Sequence, residues 1–322
     1  LNNVTNFQIE IIGAMKPLYL IFVLLFSIHA FSQNADSINA YFKSVEQELK
    51  LAQKTFLSRK ENERIEGNKK FMAIWEKVIK NPYCIQYPFD SVVEVAKLTP
   101  KNKKFKLITW NLPLDNGNHA FFGYLLVNNS KKIKKGLFKY ETVNQYEFFR
   151  LLDRSSAVNN PETYIGSTEK WFGMLYTSLI ECDDFYTLIG WDGNDKLVQR
   201  KFIDVLYFKS DGTPVFGKDV FKIPRKNPRR LMFQYSTEVS MSVKYNEKLN
   251  KIVYSHLSTK NNGDVLSQQY QYYGPDGSFD ALEYKKGKWV PTEDVDARND
   301  KSKNDKIDPP NPKDIKPIFK PN

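Results

Sequence analysis

The sequence predicts a mainly β protein with an N-terminal helical hairpin (α+β). Its strands should form an antiparallel meander closing as a sandwich, a barrel-like sheet or a partial propeller-like set of blades. Three observations predict this. Up to residue 82 the apolar residues recur at gaps of three and four. After Pro100 they fall into short aromatic-rich runs. Between those runs stand Asn-Gly and Asp-Gly dipeptides, which supply the positive φ that tight hairpins need.

Taken in order, Ile38, Tyr41, Phe42, Val45, Leu49, Ala52 and Phe56 make one helical stripe, with Asp36 or Ser37 as its N-cap. Ile65, Met72, Trp75, Val78 and Ile79 make a second, ended by Asn81-Pro82. The pair forms a hairpin over residues 33–82. From 83 to 290 the strand-like runs include "FKLITWNL", "HAFFGYLLV", "KGLFKYE", "KWFGMLYTSLI", "FYTLIGW", "KFIDVLYF", "DVFKI", "RLMFQY", "KIVYSHL", "QQYQYY" and "SFDALEY". Turn pairs fall at Asn116-Gly117, Asp192-Gly193, Asp211-Gly212, Asn262-Gly263, Asp276-Gly277 and Lys286-Gly287. Short turns join neighbouring strands, so the sheets should be antiparallel. "NQYEFFRLL", Asn144 to Leu152, reads as a short helix interrupting the meander. Residues 291–322 are rich in Pro, Lys, Asp and Asn without apolar period, a composition that predicts a flexible tail.

Residues 1–32 read as upstream residues followed by a signal peptide. Met15-Lys16 precedes an apolar run, Leu18 to Ile28, too short to span a bilayer comfortably. Ala30 and Ser32 then form a small-x-small site for cleavage before Gln33. The expectation is an exported protein, periplasmic or secreted, with no transmembrane segment after cleavage. Two cysteines, Cys84 and Cys182, leave a disulfide open without amounting to a framework.

The net charge of +11 sits on the central region, because residues 291–322 carry seven acids and seven bases. The bases cluster as "KNKK" from Lys101, "KKIKK" from Lys131, "PRKNPRR" from Pro224 and "KKGK" from Lys285. Such runs serve as solvated loops and as lysine protection of edge strands. If they share a face, they would meet an anionic envelope polymer or lipid head groups. No base-reading motif is present, so nucleic acid is not an expected partner.

Several phrases together carry a resemblance: "YPFDSV" from Tyr87, "ITWNLP" from Ile108, "YTLIGWDGND" from Tyr186, "VLYFKSDGTPVFG" from Val205, "QYYGPDGSFDALEYKKGKWV" from Gln271 and "DVDAR" from Asp294. With the "FSQ" end of the signal peptide, the chain resembles a family of secreted proteins from Bacteroidetes-type bacteria. The resemblance implies an exported, envelope-associated protein and carries over no catalytic residue.

The chemistry-bearing motifs are few. There is no G-x-S-x-G, H-E-x-x-H, P-loop, dinucleotide fingerprint, C-x-x-C or EF-hand loop, and no cofactor is expected. His119 and His256 could serve a triad only through spatial neighbours. Two carboxylate clusters, Glu181/Asp183/Asp184 and Asp192/Asp195, flank one strand-like run. At about 3.3 Å per residue they stand at its opposite ends, too far apart to form a glycosidase pair. Asp192, Asn194 and Asp195 are weak metal candidates: three oxygens fall short of a calcium shell, and a turn with Gly193 at positive φ is the plainer reading. Candidate ligand-binding residues are the aromatics Trp191, Tyr270, Tyr272 and Tyr273 and the basic Arg225, Arg229 and Arg230. In strand register, Tyr270 and Tyr272 would share a face. The function expected is a non-catalytic binding or structural module of the cell envelope. Its partner would be an anionic or glycan component or another envelope protein. The alternative is a glycan-acting hydrolase with carboxylates hidden from sequence reading.

Overall fold

The computed structural model describes residues 36–259 and 268–292. The signal segment, the Asn262-Gly263 turn and the chain beyond Thr292 lie outside the described residues. Within them the protein is a four-layer stack of helices and three antiparallel sheets, and no barrel closes.

Helix α1 (residues 36–53) ends in a 3-10 turn, Lys54–Leu57, and α2 spans Glu61–Val78. The hairpin forms as the stripes require, with Trp75, Val78 and Ile79 buried, but the first turns of α2 are rotated from the predicted face. Its buried positions include Arg64, Gly67, Asn68, Phe71 and Trp75, while Ile65 is exposed. Polar anchoring sets this rotation. Arg64 donates to the Pro113 carbonyl at 3.1 Å and to Asp115 at 2.6 Å, and Asn68 accepts from Trp110 Nε1 at 2.8 Å. Gly67 meets Thr55, where a Cβ would fall 1.7 Å from its hydroxyl oxygen.

The first sheet has the order β1 (Ala96–Leu98), β2 (Phe105–Pro113), β3 (His119–Asn128), β6 (Tyr146–Leu151). A separate hairpin, β4 (Lys131–Lys134) with β5 (Tyr140–Val143), stands between β3 and β6 in the chain. The second sheet is built from β7 (Leu175–Glu181), β8 (Tyr186–Asp192) and the long β9 (Val198–Phe208). The far edge of β9 is shared by β10 (Pro214–Phe216) at one end and β11 (Leu231–Ser236) at the other. The third sheet is the meander β12 (Val243–Asn246), β13 (Lys251–Thr259), β14 (Tyr273–Lys285), β15 (Lys288–Thr292).

Period-two alternation sorts the side chains into three cores. On β2, Ile108, Trp110 and Leu112 face the helices, with Phe42, Phe71 and Trp75. Phe105 and Leu107 face the second sheet, with Leu188, Phe202 and Leu206. Ile189, Ile203 and Val205 take the opposite face and meet Ile252, Leu282 and Trp289 of the third sheet. A sheet covered on both faces is therefore buried at nearly every position, as β8 is.

Five local expectations are corrected. Asn144–Leu152 is not a helix: Phe148 packs towards the helices and Phe149 towards the second sheet, an alternation that only a strand provides. "DVFKI" is no strand; Phe221 makes one isolated bridge to Trp289. Tyr270–Tyr272 is a 3-10 turn, so the proposed shared strand face does not exist. Asp276-Gly277 is not a reversal. It lies within β14, where the register with β13 shifts between Ser255 and Leu257 and Gly277 has φ 94°. β15 also runs to Thr292, two residues into the predicted tail.

Cys84 and Cys182 are free thiols. Cys84 belongs to the helix-side core and Cys182 packs on the core between the second and third sheets, so intervening layers keep them apart. Burial pushes their thiols up to about 12 and about 11, which leaves both protonated and poorly nucleophilic.

Candidate functional site

A groove of about 780 Å³ lies where the second and third sheets meet. Four segments build it: the β8–β9 loop, the chain after β11, the end of β13 and the 3-10 turn leading into β14. Gln271 and Tyr272 come from that turn, Tyr273 from the start of β14, Lys196 and Leu197 from the loop, Glu238 and Val239 from the segment after β11. Tyr272 is 54% exposed and Leu197 62%. Tyr273 stands 5.7 Å from Tyr270, ring to ring. The walls are held by side chains below them. Gln199 Nε2 donates to the Val239 carbonyl at 3.1 Å, and Trp191 Nε1 donates to Gln199 Oε1 at 2.9 Å. Trp191 is thus a support for the groove and not part of its lining.

The opening of β9 resolves the "WDGND" stretch as a turn. Asp195 Oδ1 accepts the N–H groups of Leu197 and Val198 at 2.8 and 2.9 Å. Asp192 Oδ1 accepts from Asn194 N at 2.8 Å, and Arg200 lies 3.6 Å from its Oδ2. Burial raises the Asp192 carboxyl above the ordinary value, outweighing that arginine. The oxygens serve the backbone. One detail differs: Asn194, with φ 51°, takes the left-handed conformation, and Gly193 does not. Asn tolerates that region because its short side chain bonds locally. Gly193 is required for another reason, since a Cβ there would lie 2.2 Å from His119 Cδ2. His119 packs against Trp191, and the Asn111 amide bonds its Nδ1 at 2.8 Å. Burial lowers its pKa, so it is a neutral packing residue.

The basic candidates separate. Arg225 is exposed at a positive φ of 61°. Arg229 pairs with Asp219 at 3.4 Å. Arg230 is fully buried, its Nε 2.9 Å from Asp204 Oδ1 and its Nη1 donating to the Pro161 and Tyr164 carbonyls. Tyr176 OH completes the cluster by donating to Asp204 Oδ2 at 2.7 Å. Arg230 is therefore a core residue out of reach of any surface ligand.

At the β13–β14 register shift, Asp276 at the rim of the groove also approaches His256. His256 Nδ1 lies 2.8 Å from Asp280 Oδ2, and Nε2 lies 3.9 Å from Asp276 Oδ2. The Asp280 hydrogen bond chiefly raises the His256 pKa, whereas bonds from Ser278 hold Asp276 below its ordinary value. A histidine titration followed by NMR should show His256 with a midpoint above about 6.5, and Asp280→Asn should bring it down. Because the folded value is the raised one, the stability this pair adds is complete below about 6.5 and fades as pH rises through the folded midpoint. An unshifted midpoint in Asp280→Asn would dismiss the pairing.

Sequence reading found Tyr270, Tyr272 and Tyr273 but not Lys196, Glu238 or the His256 pairing. Those depend on which segments adjoin, and the only local trace was Asp276-Gly277, which resembles a turn as much as a bulge. No family model matches this chain, and comparison with curated proteins and with solved structures returns no match.

Proposed function

We propose that this chain is an exported cell-envelope protein that binds a glycan component of the envelope in the Tyr272 groove without transforming it. The observation that carries the reading is the groove itself. It is open, it presents the exposed ring of Tyr272 beside Tyr273, and Gln271, Ser258 and Thr259 supply amide and hydroxyl groups around them. Aromatic faces flanked by such groups suit the alternating apolar and hydroxyl surfaces of sugar rings. Export rests on the N-terminal sequence and on the resemblance to secreted proteins. The hydrolase reading has one supporting observation, that Glu238 and Asp276 line the same groove. It needs a proton donor, however, and Asp276 is held in the charged form by Ser278.

The test is calorimetric titration with soluble glycan strands from bacterial peptidoglycan and with uncharged chito-oligosaccharides. Tyr272→Ala should weaken binding by roughly tenfold, while Tyr83→Ala, an equally exposed tyrosine near the helices, should leave it unchanged. New reducing ends in the reaction mixture would restore the hydrolase. Equal affinity in Tyr272→Ala, or no binding to either probe, would remove the groove as a glycan site.

A further inference from the structure

The β4–β5 hairpin is unlike the rest of the molecule. Every residue from 131 to 145 is exposed, and neither face of the ribbon packs on a sheet. It continues the β3–β6 pair past the sheet edge, its root closed by Asn129 N donating to the Gln145 carbonyl at 2.8 Å. At about 3.3 Å per residue, its tip stands roughly 25 Å beyond Asn129. The stem carries Lys131, Lys132, Lys134, Lys135 and Lys139 against one acid, Glu141. At the tip are Leu137, 81% exposed, and Phe138, 90% exposed. The "KNKK" run joins the same end, because Asn128 N donates to the Lys104 carbonyl at 2.7 Å and Lys104 Nζ donates to the Asn128 carbonyl at 2.9 Å.

Lysines alone would be ordinary protection of an unpaired edge. They do not account for Leu137 and Phe138, since a hairpin tip ordinarily takes Gly, Asn or Asp. An isolated two-stranded hairpin is also marginal in water, so this arm gains little by standing alone. We infer that the arm docks on an anionic lipid bilayer, with Leu137 and Phe138 entering the acyl boundary and the stem lysines lying among the head groups. The arrangement matches the layers of the interface: apolar at the tip, then Lys139 and Lys135 beside it, the latter 3.4 Å from Glu141 in an exposed pair, with long stems that let the ammonium groups reach back to phosphate. The charge complements an anionic surface. A protein partner fits less well, because two side chains fall far short of the about 800 Å² per partner that a stable interface buries. This inference stands apart from the glycan groove and uses none of its residues.

The experiment compares full chains purified alike, in co-sedimentation with phosphatidylcholine vesicles and with vesicles rich in phosphatidylglycerol. Wild type should favour the anionic vesicles and lose binding as salt rises. Leu137→Ser/Phe138→Ser should weaken binding by roughly tenfold. Lys132→Gln/Lys134→Gln should weaken it by about fivefold for each charge removed. Melting temperatures should not move, as the arm touches no core. Phe138→Trp localises the contact: of the five native tryptophans, Trp75, Trp110, Trp171 and Trp289 are fully buried. A tryptophan at the tip should shift to the blue with anionic vesicles and be quenched by brominated acyl chains. Binding with an unquenched tip, binding unchanged in the Ser and Gln variants, or no binding at all would each overturn the inference. So would an arm-dependent dimer in sedimentation velocity, which would make a second copy the occupant.

Discussion

Arg230→Met should lower the free energy of unfolding by about 3–5 kcal/mol in urea titrations. Asp204 and Arg230 have no exposed side-chain surface, and each answers the other at 2.9 Å. Removing the guanidinium leaves a carboxylate inside the core with Tyr176 OH and its own backbone neighbour as partners. It also frees the Pro161 and Tyr164 carbonyls, which Nη1 now satisfies, and with them the loop that covers the sheet edge. Arg230→Lys should recover little, since one ammonium cannot reach Asp204 and both carbonyls in the fork geometry of arginine. Asp204→Asn/Arg230→Met should lose less than Arg230→Met alone, because no lone charge stays buried. A loss under about 1 kcal/mol for Arg230→Met would mean that the pair opens to water and that the residue is available to ligands after all.

Gly193→Val should cost about 1–3 kcal/mol, and the cost should fall when His119 is shortened. The new Cβ would overlap His119 Cδ2 and Nε2, at 2.2 and 2.3 Å. The ring cannot easily retreat, being bonded at Nδ1 by Asn111 and packed against Trp191. Thermal or urea unfolding of Gly193→Val, His119→Ala and the double variant closes the cycle. A favourable coupling between the two sites is expected. If the cost were backbone strain at Gly193, His119→Ala would leave it unaltered, and the clash with the ring would be overturned as its cause.

Both residues show where sequence reading stops. That position 193 must be glycine was legible in "WDGND", but the reason was not. A turn dipeptide announces a small residue without saying whether φ or a neighbour demands it. The helical hairpin and the antiparallel sheets were legible from apolar spacing and turn dipeptides, but the stacking of the sheets in successive layers was not. Polar residues that serve the core were not legible. Nothing in "FKLITW" marks Lys106 as interior, yet it is buried and donates to the Tyr87 carbonyl at 2.6 Å, with its ammonium pulled down to about 8 by burial. Arg230 ended a basic run and looked like its neighbours Arg225 and Arg229. Only Asp204, twenty-six positions earlier in the chain, distinguishes it. The aromatic groove was half legible, as a tyrosine cluster whose strand register was wrong because a 3-10 turn carries two of the three rings.

The order of the stack has a consequence for how the chain comes to be folded. Helices, first sheet, second sheet and third sheet succeed one another in space as they do in sequence. A polypeptide emerging amino end first can therefore complete each slab from residues already delivered. Every later slab then covers the greasy surface its predecessor left open, and no early segment has to wait for a distant one. Nearest-neighbour closure of this kind keeps the entropic cost of each step small. It also means that a stalled or clipped chain would fail in a graded way. Loss of the last meander would bare Ile189, Ile203 and Val205, while the helical end kept its own core.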